Sequence, residues 1–153
     1  MGSNKQPTAR LMILAFRGFE RELLRELEKQ GISDVTPADF NVLRHLDPEG
    51  LQLTILAEHA GLSKQGVGKM VTDLEAKGYL KIKTDKHDAR AKVVTYTRKG
   101  ETLIHKAIVI VGEIERRYEI LLGSHNYQNL REGLLTLLEK GNHFGFSNLS
   151  ESS

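Results

Sequence analysis

The stretch that decides the fold, Leu62–Glu101, reads LSKQGVGKMVTDLEAKGYLKIKTDKHDARAKVVTYTRKGE. Its first part has the features of a helix that begins at Lys64. Ser63 comes directly before it and can accept the free N–H groups of the first turn, as helix N-caps do. Apolar residues then follow at the helical period, at positions 67, 70, 71 and 74. Gly78 supplies the left-handed residue that commonly ends a helix, so the helix is predicted to end near Lys77.

Two short strands are predicted after this helix. Tyr79–Lys83 alternates roughly between apolar and polar residues, and Val93–Thr97 is rich in β-branched residues. The intervening Thr84–Lys92 is too polar for a core and too charged for a plain tight turn. The sequence therefore predicts a β-hairpin whose tip is a solvated, mostly basic loop.

Positive charge is concentrated in this segment. Residues 62–99 contain ten Lys or Arg against four Asp or Glu, a net charge of +6, whereas the whole 153-residue chain carries only +2. A local excess on a helix followed by a hairpin is the electrostatic footprint expected of binding to a phosphate backbone. An ordinary lysine-rich surface is the alternative, and the order of helix and hairpin makes it the weaker one.

A helix-turn-helix is predicted immediately upstream. Leu53–Gly61 (LTILAEHAG) forms a short helix, and a tight turn at Gly61 and Leu62 leads into the second helix. With Asp88-Ala89-Arg90 in the loop and Tyr96-Thr97-Arg98-Lys99-Gly100 after it, the chain resembles the MarR (multiple antibiotic resistance regulator) family of winged helix-turn-helix repressors. The resemblance covers nearly the whole chain. It implies a mainly α fold with a small β-hairpin wing (α+β) and with N- and C-terminal dimerisation helices.

Two features depart from the family pattern. Gly66 and Gly68 lie inside the recognition helix, where a glycine costs about 1 kcal/mol relative to alanine. Tyr96 stands where relatives more often carry leucine. The glycines have two interpretations: they let the helix backbone approach bases or a thymine methyl closely, or they only loosen a helix that is held by packing.

The predicted DNA-binding residues follow from the positions of the recognition helix and the wing. Gln65 suits a bidentate contact with adenine in the major groove, and Arg90 suits a narrow minor groove. The resemblance implies that Asp88 braces the Arg90 guanidinium. The full predicted set is Ser63, Lys64, Gln65 and Lys69 in the helix and Lys86, His87, Asp88, Arg90 and Lys92 in the wing. The alternative for each is plain solvent-facing surface, including a weak surface ion pair between Asp88 and Arg90.

The rest of the chain is interpreted as the support for this module. With 39% hydrophobic residues, residues 1–153 fit a single domain. Within it, residues 36–100 are predicted to form the winged helix-turn-helix DNA-binding lobe, and residues 8–30 and 101–146 the dimerisation helices. Individual helices are predicted over 8–30, 37–46, 100–122 and 127–139. The 100–122 helix is apolar nearly all round and needs more than one packing partner, which predicts a homodimer.

The predicted homodimer gives the mechanism its geometry. Two recognition helices would enter successive major grooves of double-stranded DNA, on a pseudo-palindromic operator with half-sites about 34 to 36 Å apart. Occupying a promoter in this way blocks polymerase, which favours a repressor. A small-molecule effector between the dimerisation helices and the lobe would change the spacing of the lobes and release the DNA. Phe16, Phe19, His45 and Tyr118 are predicted to lie near that ligand pocket, with a place in the core as the alternative.

Other classes of function lack their motifs in this sequence. There is no cysteine, which excludes disulfides, thiolate metal sites and cysteine-based peroxide sensing. The six histidines show no H-E-x-x-H motif and no i, i+4 pair, so neither a metal nor a cofactor is predicted; a site assembled from ligands on different elements is the alternative. Without a phosphate-binding glycine loop or a nucleophile elbow, the protein is predicted not to be an enzyme. Neither Met1–Asn4 nor Ser147–Ser153 has the apolar length of a signal peptide or a membrane span, which predicts a cytoplasmic protein with no membrane partner.

The competing interpretation is a non-specific architectural DNA-binding protein, or a winged helix that binds another protein. A specific regulator favours its operator over random duplex by about 10³ to 10⁷ and loses affinity steeply with salt. An architectural protein shows only the salt dependence, and a protein-binding module shows neither.

Overall fold

The computed structural model describes residues 6–141 and consists of six helices and three short strands over that range. In chain order the elements are α1 (Thr8–Lys29), α2 (Pro37–Leu43), β1 (Leu51–Gln52), α3 (Leu53–Ala60), α4 (Lys64–Ala76), β2 (Leu80–Thr84), β3 (Lys92–Tyr96), α5 (Arg98–Leu122) and α6 (Ser124–Lys140). The predicted fold class, mainly α with a small β wing, is confirmed. The last residues of the predicted 101–146 segment, 142–146, lie outside the described residues.

Side-chain caps set the starts of the helices that carry the site. At α2, Thr36 and Asp39 form a capping box, with Pro37 as the first helical residue. At α4, the Ser63 hydroxyl accepts the backbone N–H of Gly66 at 3.0 Å. At α5, the Thr97 hydroxyl accepts the N–H of Gly100 in the same way. Each cap satisfies a donor that would otherwise have no partner inside the helix.

The wing is part of a three-stranded antiparallel sheet in the order β1-β3-β2. β2 and β3 form the predicted hairpin, with Ile82 opposite Val94, and β1 adds Leu51 on the other side of Val94. The sequence predicted only two strands. β1 was missed because it has two residues, too few to show an alternating pattern.

One hydrophobic core joins the DNA-binding lobe to the long helices. Val67, Val71 and Leu74 of α4 are fully buried in it. The α1 and α5 helices pack along each other, with Leu27 of α1 and Ile114 of α5 fully buried. The apolar face of α4 therefore points inward, and its opposite face is left to solvent.

A polar network fixes the end of α4 against the start of α2 and the start of α5. The buried Asp39 carboxylate accepts from the Lys77 ammonium at 2.7 Å. Next to it, the Tyr79 hydroxyl donates to Asp34, which holds the pKa of that carboxyl below its usual range. The Lys99 ammonium donates to the Lys77 carbonyl at 2.7 Å and lies 4.2 Å from the Tyr79 ring centroid. These contacts fix the direction in which the recognition helix leaves the core.

Large apolar side chains remain exposed on α1, α5 and α6. On α5, Ile120 and Leu121 are 77% and 81% exposed, and α6 buries none of its residues. The exposed set on the other two helices is Leu11, Met12, Ile13, Leu14 and Phe16 of α1 and Leu130, Leu134, Leu135 and Leu137 of α6. An apolar surface of this extent is typical of a protein-protein interface. Within residues 6–141, none of the helices combines the length and apolar character that a membrane crossing requires.

Candidate nucleic-acid interface

The exposed face of α4 carries the predicted base-reading residues. Because Val67, Val71 and Leu74 are buried, the helical period turns Gln65, Lys69 and Thr72 toward solvent. Lys64 is also exposed at the first turn. Thr72 was not predicted, although its spacing of three from Lys69 places it on the same face. Its hydroxyl donates to the Gly68 carbonyl at 2.9 Å, which leaves its methyl group free on the surface.

Within residues 6–141, the predicted phosphate-binding cations form no ion pairs. Lys64, Lys69, Lys86, Arg90 and Lys92 are all exposed, and none takes part in the ion pairs of the described residues. The basic segment also contains Lys77 and Lys99, which pair with Asp39 and Asp34 of the same chain, the first pair largely buried and the second at the surface. The charge that is available to a partner therefore lies on the start of α4 and on the wing.

Two short turns shape the wing loop. Asp85 accepts the backbone N–H of His87 at 2.7 Å and the side-chain amide of Gln52 at 2.9 Å, and its own N–H donates to the Ala91 carbonyl at 2.9 Å. The His87 N–H, followed by the Gln52 amide, holds the pKa of the Asp85 carboxyl below its usual range. The Gln52 contact also ties the loop to the start of α3.

Asp88 does not brace Arg90 in the way the resemblance implied. Its carboxylate accepts the backbone N–H of Arg90 at 2.9 Å, and no ion pair joins the two side chains among the contacts of the described residues. At a separation of two residues in a tight turn, an aspartate reaches the backbone N–H more readily than a long side chain beyond it. Among residues 6–141, the Arg90 guanidinium is therefore not held in an ion pair.

The wing and the helix-turn-helix meet at one polar groove of about 400 Å³. Lys64 of α4 lines one side of it, Asp88, Arg90 and Lys92 of the wing line another, and Thr54 lies at the first turn of α3. Lys86 and His87 are exposed in the loop and do not line the groove. Sequence reasoning did not select Gln52 or Thr54, because only the pairing of β1 with β3 brings the start of α3 to the wing.

A second cavity of about 420 Å³ lies between α1, α2, α5 and the end of β3. Of the four residues predicted near an effector pocket, Phe19 lines this cavity, and Phe16, His45 and Tyr118 are not among its lining residues. The Phe16 ring stacks on Phe19 at a centroid distance of 6.3 Å. Burial lowers the pKa of His45 and raises that of Tyr118.

Metal ligands do not cluster in the part of the chain that the structure describes. Within residues 6–141, no three His, Asp or Glu side chains come together in a group that could hold a metal ion. His143, one of the six histidines, lies outside that range.

Comparison with known proteins agrees with this architecture. The sequence model of the MarR family matches residues 33–91. An HTH-type transcriptional regulator of Bacillus cereus is 26% identical over 137 residues, which cover 80% of this chain and 90% of the relative. The crystal structure of a transcriptional regulator from Thermotoga maritima is 29% identical with a TM-score of 0.63, over 91% of this chain and 99% of that one. A mutant MarR of E. coli, solved with operator DNA, shares the fold with a TM-score of 0.71 at 21% identity, over 86% of this chain and 94% of that one.

The helix-turn-helix, the three-stranded wing and the exposed cations define a winged helix-turn-helix DNA-binding protein. Within that class, residues 33–91 match the model of the MarR family, and over most of its length the chain is similar to transcriptional regulators. The relatives found are transcriptional regulators and not enzymes.

Proposed function

We propose that the protein is a repressor that binds a pseudo-palindromic operator as a homodimer and is released by a small ligand. The observation that carries the proposal is the division of the surface. Exposed, unpaired cations surround one groove between α4 and the wing, while exposed apolar side chains cover α1, α5 and α6. The first surface suits a phosphate backbone and the second suits a copy of the same chain.

The recognition helix and the wing are proposed to read different grooves of the duplex. Gln65 and Lys69 lie on the exposed face of α4 and can reach base edges in the major groove. Arg90 is proposed to enter the neighbouring minor groove, while Lys64, Lys92 and the first turn of α3 face the phosphates between them. Ser63, Lys86, His87 and Asp88 remain proposed contacts, with Asp88 acting through the shape of the loop.

The apolar faces of α1, α5 and α6 support the dimer. In the proposed dimer, residues 8–30 and 101–146 form the interface and residues 36–100 form the DNA-binding lobe. A two-fold axis between the subunits would place the α4 helices roughly 34 to 36 Å apart, one turn of B-DNA. Sedimentation at micromolar concentration is expected to give a dimer; a clean monomer would remove this operator geometry.

Selection of bound sequences from a random duplex pool tests the proposed function. A sequence-specific dimer is expected to return a two-fold symmetric motif with half-sites one turn apart, and its affinity is expected to fall steeply with salt. An unenriched pool with the same salt dependence would identify an architectural protein. A pool that is not retained at any salt concentration would leave the protein-binding alternative.

Replacing Gln65 with alanine is expected to relax base preference at one position of each half-site, by about 1 to 3 kcal/mol. The reason is that a side-chain amide in the major groove distinguishes adenine by two hydrogen bonds, which alanine cannot make. Repeating the selection with Gln65→Ala measures the effect. If the variant selected the same motif with the same base preference at every position, Gln65 would not be a base-reading residue.

Replacing Gly68 with alanine is expected to stabilise the fold by up to about 1 kcal/mol, because alanine favours helix and a Cβ at this position would have no atom within 4 Å. Urea unfolding at a fixed protein concentration measures the gain. Operator titration of the same variant then separates the two interpretations of this glycine. Unchanged affinity means that it only loosens the helix, whereas weaker affinity means that the backbone approaches the DNA closely.

A further inference from the structure

The cavity between α1, α2, α5 and the end of β3 has the size of a small-molecule site. Its volume of about 420 Å³ falls within the roughly 300 to 1,000 Å³ of typical ligand pockets. It lies where the DNA-binding lobe meets the long helices. Phe40 of α2 lines it from the lobe, and Leu24 of α1 and Ala107 of α5 line it from the long helices.

The lining is almost entirely apolar. Eleven of the fourteen lining residues have apolar side chains, and only Glu20, Arg44 and Tyr96 carry polar groups. The chemistry of a ligand therefore depends on what these three side chains can still offer.

Arg44 and Glu20 are engaged with each other. An Arg44 terminal nitrogen donates to the Glu20 carboxylate at 2.9 Å, and its Nε donates to the Phe40 carbonyl at 2.8 Å. The one cation of the lining is thus matched by the one carboxylate of the lining. An anionic ligand would have to compete with Glu20 for the guanidinium while lying beside its negative charge.

The Tyr96 hydroxyl is also occupied. It lies 2.8 Å from the Leu43 carbonyl and 3.2 Å from the Leu46 carbonyl, at the end of α2, and the residue is only 8% exposed. A phenol has a single proton to donate, and here that proton goes to the carbonyl end of α2, where the Leu43 carbonyl also accepts the Leu46 N–H at 3.2 Å. The ring of Tyr96 faces the cavity as apolar surface, and burial keeps the pKa of its hydroxyl far above its usual range.

From these contacts we propose that the cavity binds an uncharged, largely apolar ring compound and discriminates against the same compound with an anionic group. Burying a carboxylate or sulfonate without a free cation leaves its charge uncompensated, which is costly, whereas an apolar ring gains from leaving water. This ligand would be the effector of the proposed function. Its binding to the cavity does not depend on that function, whereas its effect on DNA binding rests on it.

A matched pair of fluorescent probes tests the ligand class. N-phenyl-1-naphthylamine is uncharged, and 8-anilinonaphthalene-1-sulfonate has the same ring system with a sulfonate added. Titrating the full-length protein without DNA is expected to show saturable binding of one uncharged probe per subunit. The sulfonate is expected to bind at least about tenfold more weakly. Equal or tighter binding of the sulfonate would overturn the proposal.

Two variants locate the probe. Ala107→Phe projects a ring into the cavity from α5 and is expected to reduce binding of the uncharged probe at least about tenfold. Glu58→Ala is the control, because Glu58 is exposed on α3, does not line the cavity and belongs to neither the proposed dimer interface nor the proposed DNA contacts. It is expected to bind the probe as the wild type does. If Ala107→Phe fails to fold, judged by circular dichroism, Leu24→Trp fills the cavity from α1 and takes its place.

The outcomes separate this inference from the proposed function. Equal binding of the uncharged probe by the wild type and the cavity-filling variant would place the probe on the exposed apolar faces and overturn the inference, whatever the result of the DNA selection. Loss of binding in the cavity-filling variant alone would support it even if the selection returned no operator.

Discussion

Replacing Arg90 with alanine is expected to weaken operator binding roughly 30- to 1,000-fold at fixed salt. Each wing would lose a charge-assisted contact of about 1 to 2 kcal/mol, and a dimer has two wings. The guanidinium is exposed at the polar groove, and Asp88 binds only the Arg90 backbone, so the side chain meets DNA without first breaking an ion pair. The measurement is a fluorescence anisotropy titration with the selected operator.

Arg90→Lys is the matched control for this prediction. It keeps the positive charge but loses the planar fork, so an intermediate loss is expected if shape in the minor groove matters as well as charge. Sedimentation of both variants should remain that of the wild type, since Arg90 is exposed in the wing loop and is not part of the apolar faces of α1, α5 and α6. Wild-type affinity for Arg90→Ala would show that the wing does not contribute to binding.

Replacing Gly100 with alanine is expected to be the most damaging small substitution in the fold. A Cβ at this position would lie 2.1 Å from the Tyr79 carbonyl oxygen and 3.1 Å from a Tyr96 ring carbon. The first of these contacts is with backbone, which cannot rotate away, and the same oxygen accepts the Thr97 N–H at 3.0 Å. The start of α5 would have to move, at a cost of about 3 kcal/mol or more.

Gly112→Ala is a control on the same helix. A Cβ there would have no atom within 4 Å, and the substitution is expected to stabilise the helix by up to about 1 kcal/mol. Urea unfolding of both variants at one protein concentration makes the comparison. If Gly100→Ala unfolded at the wild-type midpoint, the close packing of α5 on Tyr79 would be incorrect.

The recognition helix and the wing strands could be predicted from sequence because the caps and the periodicity that define them lie within the elements themselves or next to them. The N-cap Ser63 and the left-handed Gly78 bracket α4 within the chain, and the structure places the helix at Lys64–Ala76, within one residue of the prediction. The two wing strands were displaced by one residue, since alternation alone does not fix where pairing starts. The exposure of Gln65 and Lys69 follows from the same helical period as the burial of Val71.

The cavity and the loop geometry could not be predicted in this way because their partners are distant in sequence. Tyr96 was noticed as an unusual residue, but its hydroxyl binds a carbonyl 53 residues away. Arg44 and Glu20 meet across two helices, 24 residues apart. For Asp88, the resemblance suggested the guanidinium as partner, and the tight turn favoured the nearer backbone N–H instead.

The short strand β1 has a mechanical consequence. It pairs with β3 and passes directly into α3, and the Gln52 amide clasps Asp85 in the loop at 2.9 Å. Because α3 also packs against α4, the wing that carries Arg90 is tied through α3 to the recognition helix. A tilt that moves the recognition helix away from DNA also moves the wing. We therefore expect each subunit to dissociate from its half-site in a single step, without an intermediate in which only the wing loop is bound.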